Sequence, residues 1–348
     1  MEMGRSSVIG RDLCDMAARM VADDKGLLAI DESNATCNKR FAAHGIAQTE
    51  EMRRAFRELI LTTPGLGASI SGVILYNETM LQDTTGGVPF VRVLTDAGII
   101  PGIKVDTGLA DLANHPAEKT TEGLDGLRAR LQTYFEIGAR FAKWRCVFFV
   151  NARLPSRGCI AANAHGLARY AALCQEAGLV PVVEPEILMD GAHSLDRSAT
   201  VTEEVLRAVF AQLVAQGVVL EAMILKPSMV LPGADDALQA SLEQVASVTV
   251  KCLLRAVPAA VPGIAFLSGG QSPEFASARL NAMNLKSRQK APWPLTFSFS
   301  RAIQEPALAI WAGRIENVVA AQTALEHRAR MNRAARQGVY DPAIEAAA

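Results

Sequence analysis

Residues 26–40 read GLLAIDESNATCNKR. The first five are continuously apolar, as expected of a strand covered on both faces. The ten after them decide between two folds. An open doubly wound sheet calls for a glycine-rich turn after an early strand, where backbone N–H groups approach a dinucleotide. Here the chain passes through DESNATC, placing an aspartate at the strand end. That ending fits a barrel, and the open sheet stays as the alternative.

Seven further runs have the same character: SISGVILY (69–76), IIPGIKV (99–105), FAKWRCVFFV (141–150), LVPVVE (179–184), LEAMILK (220–226), GIAFLS (263–268) and PLTFSFS (294–300). Helical patterns separate most of them. In TVTEEVLRAVFAQLVAQG, Leu206, Val209, Phe210, Leu213 and Val214 recur at i, i+3, i+4. Thr200 and Glu203 have capping-box spacing there, and Gly217 supplies a stop. EGLDGLRARLQTYFEIG puts Leu124, Leu127, Leu131 and Tyr134 on one face, whereas residues 77–98 read mostly as loop. No glycine-, serine- or proline-rich linker divides the chain. The expectation is an α/β fold, a single (β/α)8 barrel domain over residues 1–348 with an N-terminal helix and a short C-terminal tail.

Half of the 348 residues are hydrophobic, enough to bury a large core, and 35 basic residues balance 36 acidic ones. Without a block of either sign, nucleic acid and anionic membranes are not expected partners. No apolar stretch approaches the roughly 20 residues of a membrane span, and the opening MEMGRSSVIGRDL lacks a signal-peptide apolar region, so a cytoplasmic protein is expected. Six scattered cysteines and five scattered histidines form no CxxC, HxH or HxxxH pair. They predict free thiols and no metal cluster.

Arginine outnumbers lysine 26 to nine, yet Lys104, Lys143 and Lys226 all lie in or at the ends of apolar runs. Lysine, unlike arginine, can shed its proton and condense with a carbonyl. A chain rich in arginine keeps lysine where an amine is needed.

In a (β/α)8 barrel the chemistry gathers at the carboxyl ends of the strands. Those ends carry Asp31, Lys104 and Asp106, Lys143 and Arg145, Glu184 and Glu186, Lys226, Ser268, and Arg301. Residues two apart in a strand face the same side, so each pair can aim both groups at the barrel mouth. A salt-bridge network closing the top of the barrel is the structural reading of the same set. It leaves LSGGQSPEF unexplained: Ser268, Gly269 and Gly270 form a small-residue turn, Ser272 an N-cap and Pro273 the first helical position. With Arg301 after the eighth strand, this makes an anion site. Lys39, Arg40, Lys104 and Arg145 form a second cationic group, with Lys39 and Arg40 also reading as surface charge.

LLAIDESNATCNKR, PGIKVDTG, FAKWRCV, VPVVEPEIL, LKPSMVLPG, FLSGGQSPEFA and LTFSFSRAIQEPAL together resemble the successive signature segments of class I fructose-bisphosphate aldolases, the metal-independent Schiff-base type. DESNATC is closer to plant and bacterial members than to animal ones. The resemblance implies reversible cleavage of fructose 1,6-bisphosphate to dihydroxyacetone phosphate and glyceraldehyde 3-phosphate. It further implies no cofactor or metal, a phosphosugar as the small-molecule partner, and a homotetramer. By matching motifs, Lys226 forms the Schiff base, and Glu184, with Glu186 beside it, shuttles protons. Lys143 assists electrostatically, and Asp31 takes the C4 hydroxyl proton. Ser268, Gly269, Gly270 and Arg301 hold the C1 phosphate, and Ser33, Thr36, Lys39, Lys104 and Arg145 surround the C6 phosphate. Attack requires Lys226 as a neutral amine, which burial and a neighbouring cation such as Lys143 favour.

Thr107 and Ser300 depart from the pattern, standing where lysine after KVD and glycine before the phosphate-binding arginine are common. The ending GVYDPAIEAAA departs further from the long tyrosine-terminated tail of animal members. It leaves Tyr340 as the candidate for proton exchange on the enamine. A Schiff-base lyase for another phosphosugar, and a noncatalytic phosphosugar-binding protein, are the rival readings. Loss of chemistry would remove the reason to keep Lys226, Glu184 and Asp31 together.

Overall fold

The computed structural model describes residues 2–287 and 290–346. Ten strands occur in chain order: β1 (Gly26–Ile30), β2 (Ile70–Leu75), β3 (Ile100–Lys104), β4 (Gly108–Asp111), β5 (Lys119–Glu122), β6 (Phe141–Phe148), β7 (Val180–Ile187), β8 (Ile224–Leu225), β9 (Ile264–Phe266) and β10 (Leu295–Phe299). Eight close into a barrel in the order β1-β10-β9-β8-β7-β6-β3-β2, with every pairing parallel. These are the eight apolar runs. β4 and β5 form a separate antiparallel hairpin.

Alternation divides the strands between two cores. Leu28, Ile30, Val73, Leu75, Ile103, Trp144, Cys146, Val183, Phe266, Phe297 and Phe299 face the surrounding helices. Leu27, Ala29, Ile74, Ile100, Phe141, Val180, Val182, Ile224 and Ala265 fill the barrel interior. Phe141 fits because two neighbours lack side chains: a Cβ on Gly102 would meet its ring at 2.2 Å, and one on Gly72 at 3.0 Å. Beneath this layer the helix Glu2–Met20 seats Leu13, Ala17 and Met20, followed by Val21. Ser71 Oγ donates to Met20 O and pins that helix to β2. The amino end of the barrel is therefore closed.

Three local expectations are corrected, and one further element is new. The helix expected to begin at Thr200 begins at Leu195, where Ser194 Oγ accepts from Arg197 N at 3.2 Å. Thr200 instead bonds Asp196 O within the helix, and Glu203 pairs with Arg207 and Arg255. Residues 77–98 contain helices Asn77–Met80 and Phe90–Asp96, the second burying Phe90, Val91 and Leu94. LEAMILK begins as a 3-10 turn, Leu220–Ala222, leaving two strand residues. The β4–β5 hairpin is not anticipated, since its exposed residues carry no strong alternation. By contrast, helix Pro273–Ser287 begins where the sequence places it, with Ser272 Oγ accepting from Phe275 N at 3.3 Å.

Candidate active site

Along the interior faces of β1, β6, β7 and β8 the residue type changes once, from apolar to ionisable, on approaching the carboxyl end. Leu27 and Ala29 lead to Asp31, Phe141 to Lys143 and Arg145, Val180 and Val182 to Glu184 and Glu186, and Ile224 to Lys226. The ladder aligns Arg145 with Glu184, and Lys226 N donates to Val183 O at 2.8 Å, carrying the register past the short β8. The apolar layer thus becomes the floor of a charged mouth.

Four side chains from four strand ends meet there. Lys143 Nζ lies 2.6 Å from Asp31 Oδ2 and 3.2 Å from Glu184 Oε2, while Lys226 Nζ lies 3.4 Å from Glu184 Oε1. All four are buried; Lys143 and Lys226 are each 3% exposed. Two lysines thus face two carboxylates in one buried cluster. Burial by itself raises the Asp31 carboxyl, but Lys143 and Lys226 outweigh it and bring Asp31 down to about 2. The Glu184 carboxyl is lowered in the same way, against burial, by Lys143, Lys226 and Arg145. Lys143 responds oppositely: burial disfavours its charge, yet Asp31 and Glu184 hold it protonated. Apart from its ion pair with Lys143, Glu184 Oε2 accepts no hydrogen bond.

A second network adjoins the first. Lys104 Nζ pairs with Asp106 Oδ1 at 2.6 Å, Arg145 Nε pairs with Glu186, and Arg145 N donates to Asp106 Oδ2 at 3.3 Å. Glu186 therefore neutralises Arg145 instead of touching Lys226. In the sequence Asp106 is one strand-end charge among several; its part in orienting Arg145 becomes visible in the fold.

After β9, Ser268 is buried, and Gly269 and Gly270 adopt φ of +57° and +85°, where a side chain would be strained. A Cβ built on Gly270 would stand 3.5 Å from Arg301 Nη2, so the guanidinium lies over the turn. Arg301 is exposed and makes no ion pair or hydrogen bond among the described residues. The turn and the arginine, which belong to two consecutive strand ends, thus lie side by side.

The remaining candidates are less concentrated. Ser33 caps the helix Asn34–Ala43, accepting from Thr36 N at 3.3 Å and standing 3.1 Å from Thr36 Oγ1. Thr36 and Lys39 are exposed, and Lys39 makes no ion pair or hydrogen bond among the described residues. Arg40 is not free for a ligand: it bonds Glu32, Gln304 and Glu305. Tyr340 is removed from the mouth. Its hydroxyl donates to Glu345, which also pairs with Arg328, and its N–H donates to Asn281 Oδ1 in the outer helical layer. The reading of Tyr340 as a proton donor at the enamine is therefore set aside.

Two participants are not anticipated by the sequence. Ser228 accepts from Ile187 N and donates to Ile187 O, fastening the segment after Lys226 to the end of β7. Glu32, next to Asp31, receives hydrogen bonds from Arg40, Arg57, Ser300 and Gln304. Their nearness in sequence to Lys226 and Asp31 is the available signal, since Ile187, Ser300 and Gln304 are remote from them in sequence.

Among the described residues no group of three His, Cys, Asp or Glu side chains is arranged to hold a metal ion. No helix among them is long and apolar enough to cross a membrane.

Residues 12–348 match the family model for fructose-bisphosphate aldolase class I. A probable fructose-bisphosphate aldolase class 1 of Xylella fastidiosa strain 9a5c is 54% identical over 329 residues, covering 94% of this chain and 98% of that protein. Fructose-bisphosphate aldolase 5, cytosolic, of Arabidopsis thaliana is 51% identical over 338 residues, covering 96% of this chain and 94% of its own length. Among solved structures, the Plasmodium falciparum fructose-bisphosphate aldolase, crystallised with TRAP and a small-molecule inhibitor, superposes with a TM-score of 0.94 at 46% identity, covering 96% of both chains. Fold and near full-length similarity agree: the chain belongs to the class I fructose-bisphosphate aldolase family and is a lyase of that class.

Proposed function

We propose that the enzyme cleaves fructose 1,6-bisphosphate through a Schiff base on Lys226. The observation that carries this reading is the buried Lys226 side chain at the barrel mouth, with Glu184 as its one ion-pair partner among the described residues. Glu184 takes up the proton that Lys226 must lose and returns it as water leaves the carbinolamine. The resulting iminium draws electrons from the C3–C4 bond while Asp31 accepts the C4 hydroxyl proton. An aspartate held at about 2 by Lys143 is a poor base, so the substrate has to loosen that pair before Asp31 can act. Lys143 then faces the charge developing on the substrate. Borohydride added with dihydroxyacetone phosphate is expected to fix one adduct on the peptide containing ILKPSM. An adduct elsewhere, or none during active turnover, overturns the assignment.

In the same reading the Ser268-Gly269-Gly270 turn and Arg301 take the C1 phosphate. Ser33, Thr36, Lys39, Lys104 and Arg145 face the C6 phosphate, with Lys104 and Arg145 first relinquishing part of their hold on Asp106 and Glu186. Arg301→Ala is expected to raise KM for the bisphosphate. One lost charge-assisted hydrogen bond, about 1.5–3 kcal/mol, amounts to roughly ten- to a hundredfold. An unchanged KM in the folded variant places the phosphate elsewhere.

Because the electron sink is the iminium, activity is expected to survive exhaustive dialysis against EDTA. Loss of turnover that zinc restores would contradict the Schiff-base route. We further read the chain as a single barrel domain acting in the cytoplasm as a homotetramer. The "cytosolic" in the names of plant relatives supports the location. Exposed Ile315 and Val319 offer apolar area for subunit contact. Met1 and residues 347–348, at the two ends of that domain, lie outside the described residues.

A further inference from the structure

Arg301 begins the helix Arg301–Trp311 and has no side-chain partner among the described residues. A long, unpaired side chain loses rotamer freedom when it grips a ligand, so its usefulness depends on how firmly its backbone is placed. Ser300, immediately before it, stands at the N-cap position but makes no side-chain cap. Its hydroxyl donates instead to Glu32 Oε1 at 2.6 Å. One turn along, Gln304 Nε2 donates to the same oxygen at 2.9 Å and to Ala29 O at 2.6 Å, and lies 3.1 Å from Ser300 Oγ. The first turn of the helix is thereby fastened at two points to the end of β1. Glu32 is fixed from the other side by Arg40 Nη1 at 2.8 Å and Arg57 Nη2 at 2.9 Å, and its side chain is only 10% exposed. The residue preceding Glu32 is Asp31.

We propose that Ser300 and Glu32 are a positioning pair that sets the distance between Arg301 and Asp31. Neither touches the reacting atoms. Resting on the proposed aldol cleavage, they fix the separation between the group that holds the C1 phosphate and the group that takes the C4 proton. Substrate length is thus measured against a strut running from β1 to the helix after β10.

The test is a double-mutant cycle in kcat/KM for fructose 1,6-bisphosphate, built from Ser300→Ala and Arg301→Ala. Ser300→Ala alone is expected to raise KM about five- to tenfold, less than the loss of Arg301 itself because the contact acts only through the placement of that residue, with kcat changed less than about threefold. In the Arg301→Ala background the same change is expected to cost less than about twofold, because the group it positions is gone. Ser300→Thr, which retains a hydroxyl, is expected to recover most of the lost affinity. Strictly additive effects, a loss confined to kcat, or a threonine variant as impaired as alanine would overturn the pair. Should Ser300→Ala fold poorly, Glu32→Gln tests the other half of the contact with the same cycle and the same expected coupling. An unmodified protein without aldolase activity would defeat the proposed reaction instead of this inference.

Discussion

Lys226→Arg is expected to lower turnover of fructose 1,6-bisphosphate by at least about four orders of magnitude while the protein stays folded. Arginine keeps the charge that faces Glu184 and most of the volume of the buried side chain, so the cluster retains its balance. The substitution removes an amine able to lose a proton and condense with a ketone. Thermal unfolding and circular dichroism establish that the fold survives. Borohydride with dihydroxyacetone phosphate should then leave the ILKPSM peptide at its unmodified mass. Substantial activity in this variant, or an adduct on Lys143 or Lys104 in the unmodified protein, means that another lysine is the nucleophile.

Lys143→Met is expected to separate the electrostatic role from the covalent one. Turnover should fall about a hundred- to a thousandfold, the usual effect of deleting one preorganised charge, while Lys226 can still be trapped, though more slowly. The fold should weaken as well. Lys143 bridges Asp31 and Glu184, and removing one partner of a buried ion pair typically costs about 3–5 kcal/mol. The pH dependence arises from Asp31. Its folded value is about 2, below the ordinary 3.8, so its contribution to stability is full above the higher value and is lost as pH falls through the lower one. In the methionine variant that contribution should shrink to what Lys226 and Lys104 still supply, leaving a smaller stability difference between about pH 5 and pH 3 than in the parent. A folded variant that cannot be trapped at all would give Lys143 a direct part in forming the Schiff base. A loss below about tenfold would deprive it of a catalytic part.

Most of the barrel was legible because parallel strands are buried on both faces, so each of the eight appears as an apolar run without needing alternation. The ionisable residues at the mouth were legible through parity alone: Lys143 stands two residues after Phe141, and Glu184 two after Val182, on the interior face. Parity places a side chain on a face without choosing its partner. Glu186 resembled a companion to Glu184 at Lys226, yet in space it neutralises Arg145. Glu32 carried no periodic signal, and two of its four hydrogen-bond donors, Ser300 and Gln304, lie more than 260 residues away. Short or exposed elements failed for a different reason. Helix Phe90–Asp96 spans too few residues to show a helical period, and the helix capped by Ser194 starts before its apolar stripe becomes continuous.

Phe141, resting in the space left by Gly72 and Gly102 above the first helix, makes the barrel a cup with a single opening. Traffic through that opening is then sequential. On the Schiff-base route one half of the cleaved sugar stays tethered to Lys226, and the water that frees it must enter by the same door. In the proposed reading the untethered aldehyde, with its phosphate, would occupy that entrance until it leaves. Departure of the first product thus clears the way for release of the second, and a closed floor becomes an ordering device for the reaction.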